Sequence, residues 1–258
     1  MALKKSLLVV LVPFLTFHCI KSYDSLYNEA VALKNHGKQE ESRKAFEKAA
    51  AKKQTPEVFK EIANYYIETA HDYDMAESFL QKSLKLDAQY PNAIHNMGLV
   101  YLKRYEESAD QNQNQAYLKT AEEWFSRNLS QNPNFALTYA EAGMVLFYQK
   151  NTQGAIEKIN DAISKGANNS YAHLLLGKVY FFGPQDYKRA LESFRIAYND
   201  FSRDPYLLKI MAQTHQKLNQ IEDARTYYRK YIKSLLDSGA PEEVIKKAQD
   251  EEALLIAK

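Results

Sequence analysis

The chain has 258 residues with only 8 Gly and 7 Pro, too few turn formers for a sheet protein with many reversals, while Ala, Leu, Lys, Glu and Gln, all good helix formers, fill most segments. Its formal net charge is +2, and setting aside residues 1–18, which hold Lys4 and Lys5, leaves 32 basic and 32 acidic residues and no basic stripe. Affinity for nucleic acid rests largely on clustered Lys and Arg, so nucleic acid is excluded as the main partner. The single cysteine, Cys19, excludes an intrachain disulfide and a cysteine-based zinc site.

Residues 1–18 read as an export signal. Lys4 and Lys5 precede an apolar run from Leu7 to Phe17, and Lys21 ends the stretch. The run falls short of the roughly 20 apolar residues a membrane span needs, and it contains Pro13. Cys19 stands where the run stops. Leu15-Thr16-Phe17-His18-Cys19 loosely resembles a bacterial lipobox, whose cysteine becomes the acylated first residue, but His18 takes the place usually held by a small residue. Three fates stay open: a lipid on Cys19, ordinary cleavage, or a retained N-terminal anchor. The expected location is the bacterial envelope, periplasmic or tethered to the outer membrane, with any membrane contact made through that lipid.

From Tyr23 onward a helix-turn-helix pattern recurs. The first unit carries Leu26, Glu29, Ala30 and Leu33, then Ser42, Phe46 and Ala49; the second Phe59, Ile62, Ala63 and Tyr66, then Ala76, Leu80 and Ser83. The third, the clearest, has Ile94, Met97, Gly98 and Tyr101, then Ala121, Phe125, Asn128 and Pro133. The fourth has Tyr139, Ala142, Gly143 and Leu146, then Ala155, Ile159 and Ala162; the fifth Leu176, Gly177 and Tyr180, then Ala190, Phe194 and Ala197. The sixth has Leu208, Met211, Ala212 and His215, then Ala224, Tyr228 and Tyr231. The small residue of the first helix falls at 30, 63, 98, 143, 177 and 212, with gaps of 33, 35, 45, 34 and 35 residues.

This pattern resembles the tetratricopeptide-repeat family over residues 23–238. The resemblance implies an all-α fold, a right-handed α-solenoid of about six helical hairpins. Small residues would sit where the paired helices of a hairpin touch. One hairpin cannot bury its apolar face alone, so stacked hairpins share a continuous core. Glu29 at a core position marks the first unit as open on that side, and His215, in place of Tyr, reads as a hydrogen-bonded packing residue. The third unit carries about ten extra residues, including Asp110-Gln111-Asn112-Gln113-Asn114-Gln115, expected as a lengthened first helix followed by a polar loop; it is either a tolerated insertion or a binding loop. Gly239-Ala240-Pro241 closes the last hairpin, and residues 241–257, with Pro241-Glu242-Glu243 in the first turn, are expected to form a capping helix over unit six.

No catalytic constellation stands out, and no cofactor or metal site is expected. Gly177-Lys178 lacks the remainder of a phosphate loop, and the histidines at 18, 36, 71, 95, 173 and 215 form no His-Glu-x-x-His pair. Within the family the first helix of each hairpin lines a concave groove, and its non-packing positions would face a protein or peptide ligand. Those positions hold Lys60, Asn64, His95, Asn96 and Leu99 in units two and three; Met144, Phe147 and Tyr148 in unit four; Tyr171, Leu174, Lys178, Phe181 and Phe182 in unit five; and Lys209, Gln213 and Lys217 in unit six. The stretch in units four and five is apolar and aromatic, the character of an interaction surface. Lys60, Asn64 and Asn96 also match three of five positions of the family's carboxylate clamp, but the two remaining basic positions fall on Leu137 and Glu141, and Glu141 opposes a carboxylate.

The expected function is a non-enzymatic interaction scaffold of the envelope. Narrower readings are a pilotin-like lipoprotein, resembling the small family members that help assemble type IV pilus secretins, a lipoprotein of the outer-membrane assembly machine, or a chaperone for exported clients. An enzyme built on the solenoid would have His95 and Lys60 as its only candidates.

Overall fold

The structure, a computed structural model, describes residues 21–109, 111–167 and 169–255, with the backbone alone for residues 111–113 and 169. The export segment, Cys19, Asp110 and the last three residues of the chain, two of them in the expected capping helix, lie outside the described residues. Thirteen α-helices and one short π-helix are described, with no strand among the described residues. Two compact units result, one ending at Gln54 and the other beginning at Thr55.

The first unit is a single hairpin of α1 (Tyr23–Asn35) and α2 (Gln39–Lys52). Ser22 caps α1 by accepting from the Ser25 amide at 3.2 Å, and Gly37, at φ +74°, makes the turn. Ser42 donates its hydroxyl to the Ala30 carbonyl at 2.8 Å, so the two small residues mark the point where the helices touch. Phe46 and Ala49 fill the rest of the interface, while Glu29 stays exposed and pairs with Lys21 at 2.6 Å.

The second unit holds five hairpins: α3 (Pro56–Tyr65) with α4 (Tyr73–Leu86), α5 (Pro91–Glu107) with α6 (Gln111–Gln131), α7 (Ala136–Tyr148) with α8 (Thr152–Ser164), α9 (Asn169–Phe182) with α10 (Tyr187–Phe201), and α11 (Pro205–Lys217) with α12 (Ile221–Asp237). Each second helix packs on the first helix of the next hairpin, and α3, α5, α7 and α9 also pack side by side. Boundaries follow local chemistry. Pro56, Pro91 and Pro205 open helices where no amide donor is missed, and Thr55, Asp72, Asn151, Asp186 and Asp204 cap helices with their side-chain oxygens. Asp72 thus serves its own backbone, accepting from Met75 at 3.0 Å.

The recurring glycines are places where a β-carbon does not fit. A β-carbon on Gly98 would lie 2.4 Å from Phe125, one on Gly143 2.6 Å from Ile159, and one on Gly177 2.4 Å from Phe194. The restriction therefore comes from the large side chain four residues beyond the small residue of the second helix, as well as from backbone approach. Between hairpins, Asn128 donates to Thr138 at 2.7 Å, joining α6 to α7. Ser83, at the equivalent place, instead bonds back to the Pro56 carbonyl of its own hairpin at 2.7 Å.

One detail departs from expectation. The Gln/Asn run forms the first turns of a 21-residue α6 rather than a loop, since it contains no Gly or Pro and Gln is a good helix former. His215 is a buried, hydrogen-bonded packing residue as expected: it bonds Gln220 at 2.7 Å and stacks on Tyr227 with centroids 5.2 Å apart. The C-terminal helix is α13 (Glu242–Ala253), which buries Ala248 against α12 and is held by Lys209–Glu251 at 3.1 Å and Arg229–Glu252 at 2.8 Å. No helix among the described residues is long and apolar enough to cross a membrane.

Candidate partner-binding face

The first helices of hairpins two to six present the residues that hairpin packing leaves over, and two cavities open among them. The first, of about 680 Å³, mixes polar and apolar groups and is lined by Lys60 and Asn64 of α3, Asn96, Leu99 and Lys103 of α5, and Leu137, Glu141 and Tyr171 further on, among others. Its groups satisfy one another. Asn96 donates to Asn64 at 2.6 Å, Lys60 pairs with Glu61, and Tyr171 donates its hydroxyl to Glu141. Burial pushes the Glu141 carboxyl up, while the Tyr171 hydroxyl and Lys103 pull the other way; burial and Glu141 together push the Tyr171 phenol well up. The three clamp-like residues are thus engaged with protein groups, with an acid beside them.

The second cavity, of about 460 Å³, is lined by Tyr105 and Glu106 of α5, Ser108 and Asn114 where α5 gives way to α6, Phe147 and Tyr148 of α7, Lys178 and Phe182 of α9, and Tyr206 of α11. Phe182 is 55% exposed and Tyr206 45%, large apolar surfaces for a folded chain. Both Glu106 carboxylate oxygens are engaged: one accepts from Lys103 at 2.6 Å and the other from the Tyr148 hydroxyl at 2.6 Å. Burial raises the Glu106 carboxyl, but Lys103 and Lys178 outweigh it and hold the group below the usual range. The Lys178 ammonium has no carboxylate within ion-pair distance among the described residues and lies 5.5 Å from the Tyr206 ring centroid. Burial depresses its pKa, and Glu106 and Glu141 counter only part of that.

The expected binding residues divide under this geometry. Phe147, Tyr148, Lys178 and Phe182 come together in the second cavity, and Asn64, Leu99 and Tyr171 in the first. Met144 borders the second cavity but is only 1% exposed, so it belongs to the core between hairpins three and five. Phe181 turns the other way, edge-on to Tyr187 at 5.4 Å and packed with Ile210 and Met211. Gln213 is half-buried on α11 and borders neither cavity. His95 edges the first cavity but is buried, bonding Thr138 at 3.0 Å between the rings of Phe125 and Phe135. Its partner is a hydroxyl and not the carboxylate that a catalytic histidine would use for orientation.

Tyr105, Glu106 and Tyr206 were not picked out from the sequence. Tyr206 follows the helix-opening Pro205 just as Tyr171 stands in the first turn of α9, so the positional rule that selects Tyr171 selects it too. Tyr105 and Glu106 lie past the usual end of a first helix and become visible only once α5 is seen to run on to Glu107.

Consecutive antiparallel helix pairs, each laid against the next with small residues at the pair contacts, define a helical-repeat protein, and the chain has the tetratricopeptide-repeat fold. The solved structure of TTC0263, a TPR protein of the thermophile Thermus thermophilus, is similar at 17% identity and a TM-score of 0.67, over 75% of this chain and 98% of that one. A chain of the APC/C hetero-tetramer Cut9–Hcn1 is similar at 16% identity and a TM-score of 0.72, over 93% of this chain but 44% of that one. PilW, a type IV pilus biogenesis factor, is similar at 18% identity and a TM-score of 0.60, over 78% of this chain and 86% of that one. No family model and no curated protein matches the sequence.

Proposed function

We propose that the protein is a non-enzymatic scaffold that holds an extended segment of a partner protein against the first-helix face of hairpins three to six. The observation that carries this reading is the group of four rings, Phe147, Tyr148, Phe182 and Tyr206, around an open cavity on three neighbouring helices. Aromatic anchors in such pockets supply most of the energy of protein interfaces. The helices of the face are fixed by the cores beneath, so the ordering cost of binding falls on the partner segment and little of it on this protein. In this reading the N-terminal segment directs the protein to a bacterial envelope, and Cys19 is its lipid anchor. The likeness to PilW favours an assembly role over a general client chaperone.

Affinity capture from the native envelope tests the reading. Phe147→Ala combined with Phe182→Ala should reduce partner recovery at least tenfold while leaving the far-UV circular dichroism spectrum unchanged. Unchanged recovery removes this face as the binding site. Mass analysis of the mature N-terminus, with Cys19→Ala as comparison, decides the anchor.

A further inference from the structure

Building on that scaffold reading, we propose that the second cavity recognises an acidic side chain of the bound segment, with Lys178 as the cation that receives it and Phe147, Phe182 and Tyr206 as walls for the apolar residue beside it. The argument is one of charge complementarity. An ammonium has three donor hydrogens, and Lys178 spends none on a carboxylate among the described residues. The one acid in the cavity, Glu106, already has an oxygen committed to Lys103 and the other to Tyr148, each at 2.6 Å. Those two bonds fix the orientation of the Glu106 carboxylate, and in that orientation it makes no ion pair with Lys178. Lys103 takes the direct ion pair with Glu106, and Lys178, which Glu106 and Glu141 reach only at longer range, is the cation facing the cavity without a direct partner carboxylate.

That arrangement costs stability in the free protein, because partial burial of the ammonium is opposed only by the Tyr206 ring at 5.5 Å and by more distant carboxylates. An incoming carboxylate offsets that cost with a charge-assisted bond in a cavity lined by aromatic rings. A neutral amide of the same shape gains much less, and a cation meets Lys178 directly. The side chain beside the acid meets Phe182 and Tyr206, the two most exposed large apolar residues of the cavity. The chemistry selected is thus Asp or Glu next to an aromatic or aliphatic residue in an extended peptide.

The probe is an array of N-acetylated, C-amidated octapeptides, in matched sets carrying one Glu, Gln or Lys beside Phe or Leu, offered to the full-length protein. Glu members should bind at least tenfold more tightly than their Gln partners, with Lys members weakest. Lys178→Met should abolish the Glu preference and Lys178→Arg should retain it, with melting temperature recorded for both. Absence of binding by Glu members, equal binding of Glu and Gln, or a Glu preference that survives Lys178→Met overturns the proposal. So does a requirement for a free C-terminal carboxylate, tested with uncapped octapeptides. Envelope capture separates the two claims: if Phe147→Ala with Phe182→Ala loses the partner and Lys178→Glu does not, the scaffold stands and the acidic specificity falls.

Discussion

Replacing Thr138 by Val tests whether the joint between hairpins three and four is held by a polar knot. Thr138 and Asn128 are both 0% exposed. The Thr138 hydroxyl accepts from the Asn128 amide at 2.7 Å and meets His95 Nδ1 at 3.0 Å. Burial holds His95 neutral with its pKa down at about 4, and we assign the Thr138 hydroxyl as donor to Nδ1, with the ring hydrogen on Nε2, so that the hydroxyl both accepts and donates. Valine keeps the shape of threonine and loses both functions. It leaves an amide donor and a ring acceptor without partners, each worth about 1–3 kcal/mol. The extra buried methyl returns about 1 kcal/mol, so a net loss of about 1–5 kcal/mol is expected. Thr138→Ser keeps the hydroxyl and gives up a methyl, a loss of about 1 kcal/mol. Urea unfolding followed by circular dichroism compares the three proteins under one protocol. A valine variant as stable as the serine variant would show that the knot contributes nothing beyond packing, and the tautomer assignment would fall with it.

Two further outcomes follow from buried groups. The folded-state pKa of His95 is depressed from 6.5 to about 4, so its contribution is full above pH 6.5 and is lost as pH falls toward 4, by about 3 kcal/mol in all; His95→Gln, which hydrogen-bonds but does not titrate, should flatten the acid limb of the pH–stability curve, and an unchanged limb would contradict the buried neutral ring. Gly177→Ala places a β-carbon 2.4 Å from the ring of Phe194, which is 0% exposed. Overpacking of about 1–3 kcal/mol against a helix-propensity gain of about 1 predicts a modest net loss in melting temperature, partly restored by Phe194→Leu, and a stabilised Gly177→Ala protein would show that this contact yields.

The repeat was legible because its restriction is local: a small residue at one spacing and a large one at another report a steric contact that recurs in every hairpin. Gly98, Gly143 and Gly177 could be placed for that reason, and each lies against the partner helix. The binding face was legible only in part. Position along the first helix separates surface from core on average, but Met144 and Phe181 show that a flexible or aromatic side chain follows the nearest void. Met144 enters the core below the cavity, and Phe181 joins Tyr187. His95 was drawn inward by Thr138, a partner 43 residues away that no spacing rule links to it.

The insertion in hairpin three carries the remaining lesson. The extra residues could have looped into solvent at little cost, since loop closure grows slowly with length. They lengthen both helices instead. The first helix α5 runs to 17 residues where α7, α9 and α11 have 13 or 14, and α6 reaches 21. The added turns bring Tyr105, Glu106 and Asn114 against the face of α7 and α9 and supply one wall of the second cavity. Glu106 binds Lys103 and Tyr148 from that wall, and in that orientation it makes no ion pair with Lys178. Hairpins of ordinary length would end before Glu106, and Lys178 would face open solvent. The irregular repeat is therefore what turns a generic first-helix surface into an open, aromatic-lined cavity whose cation lacks a direct ion pair.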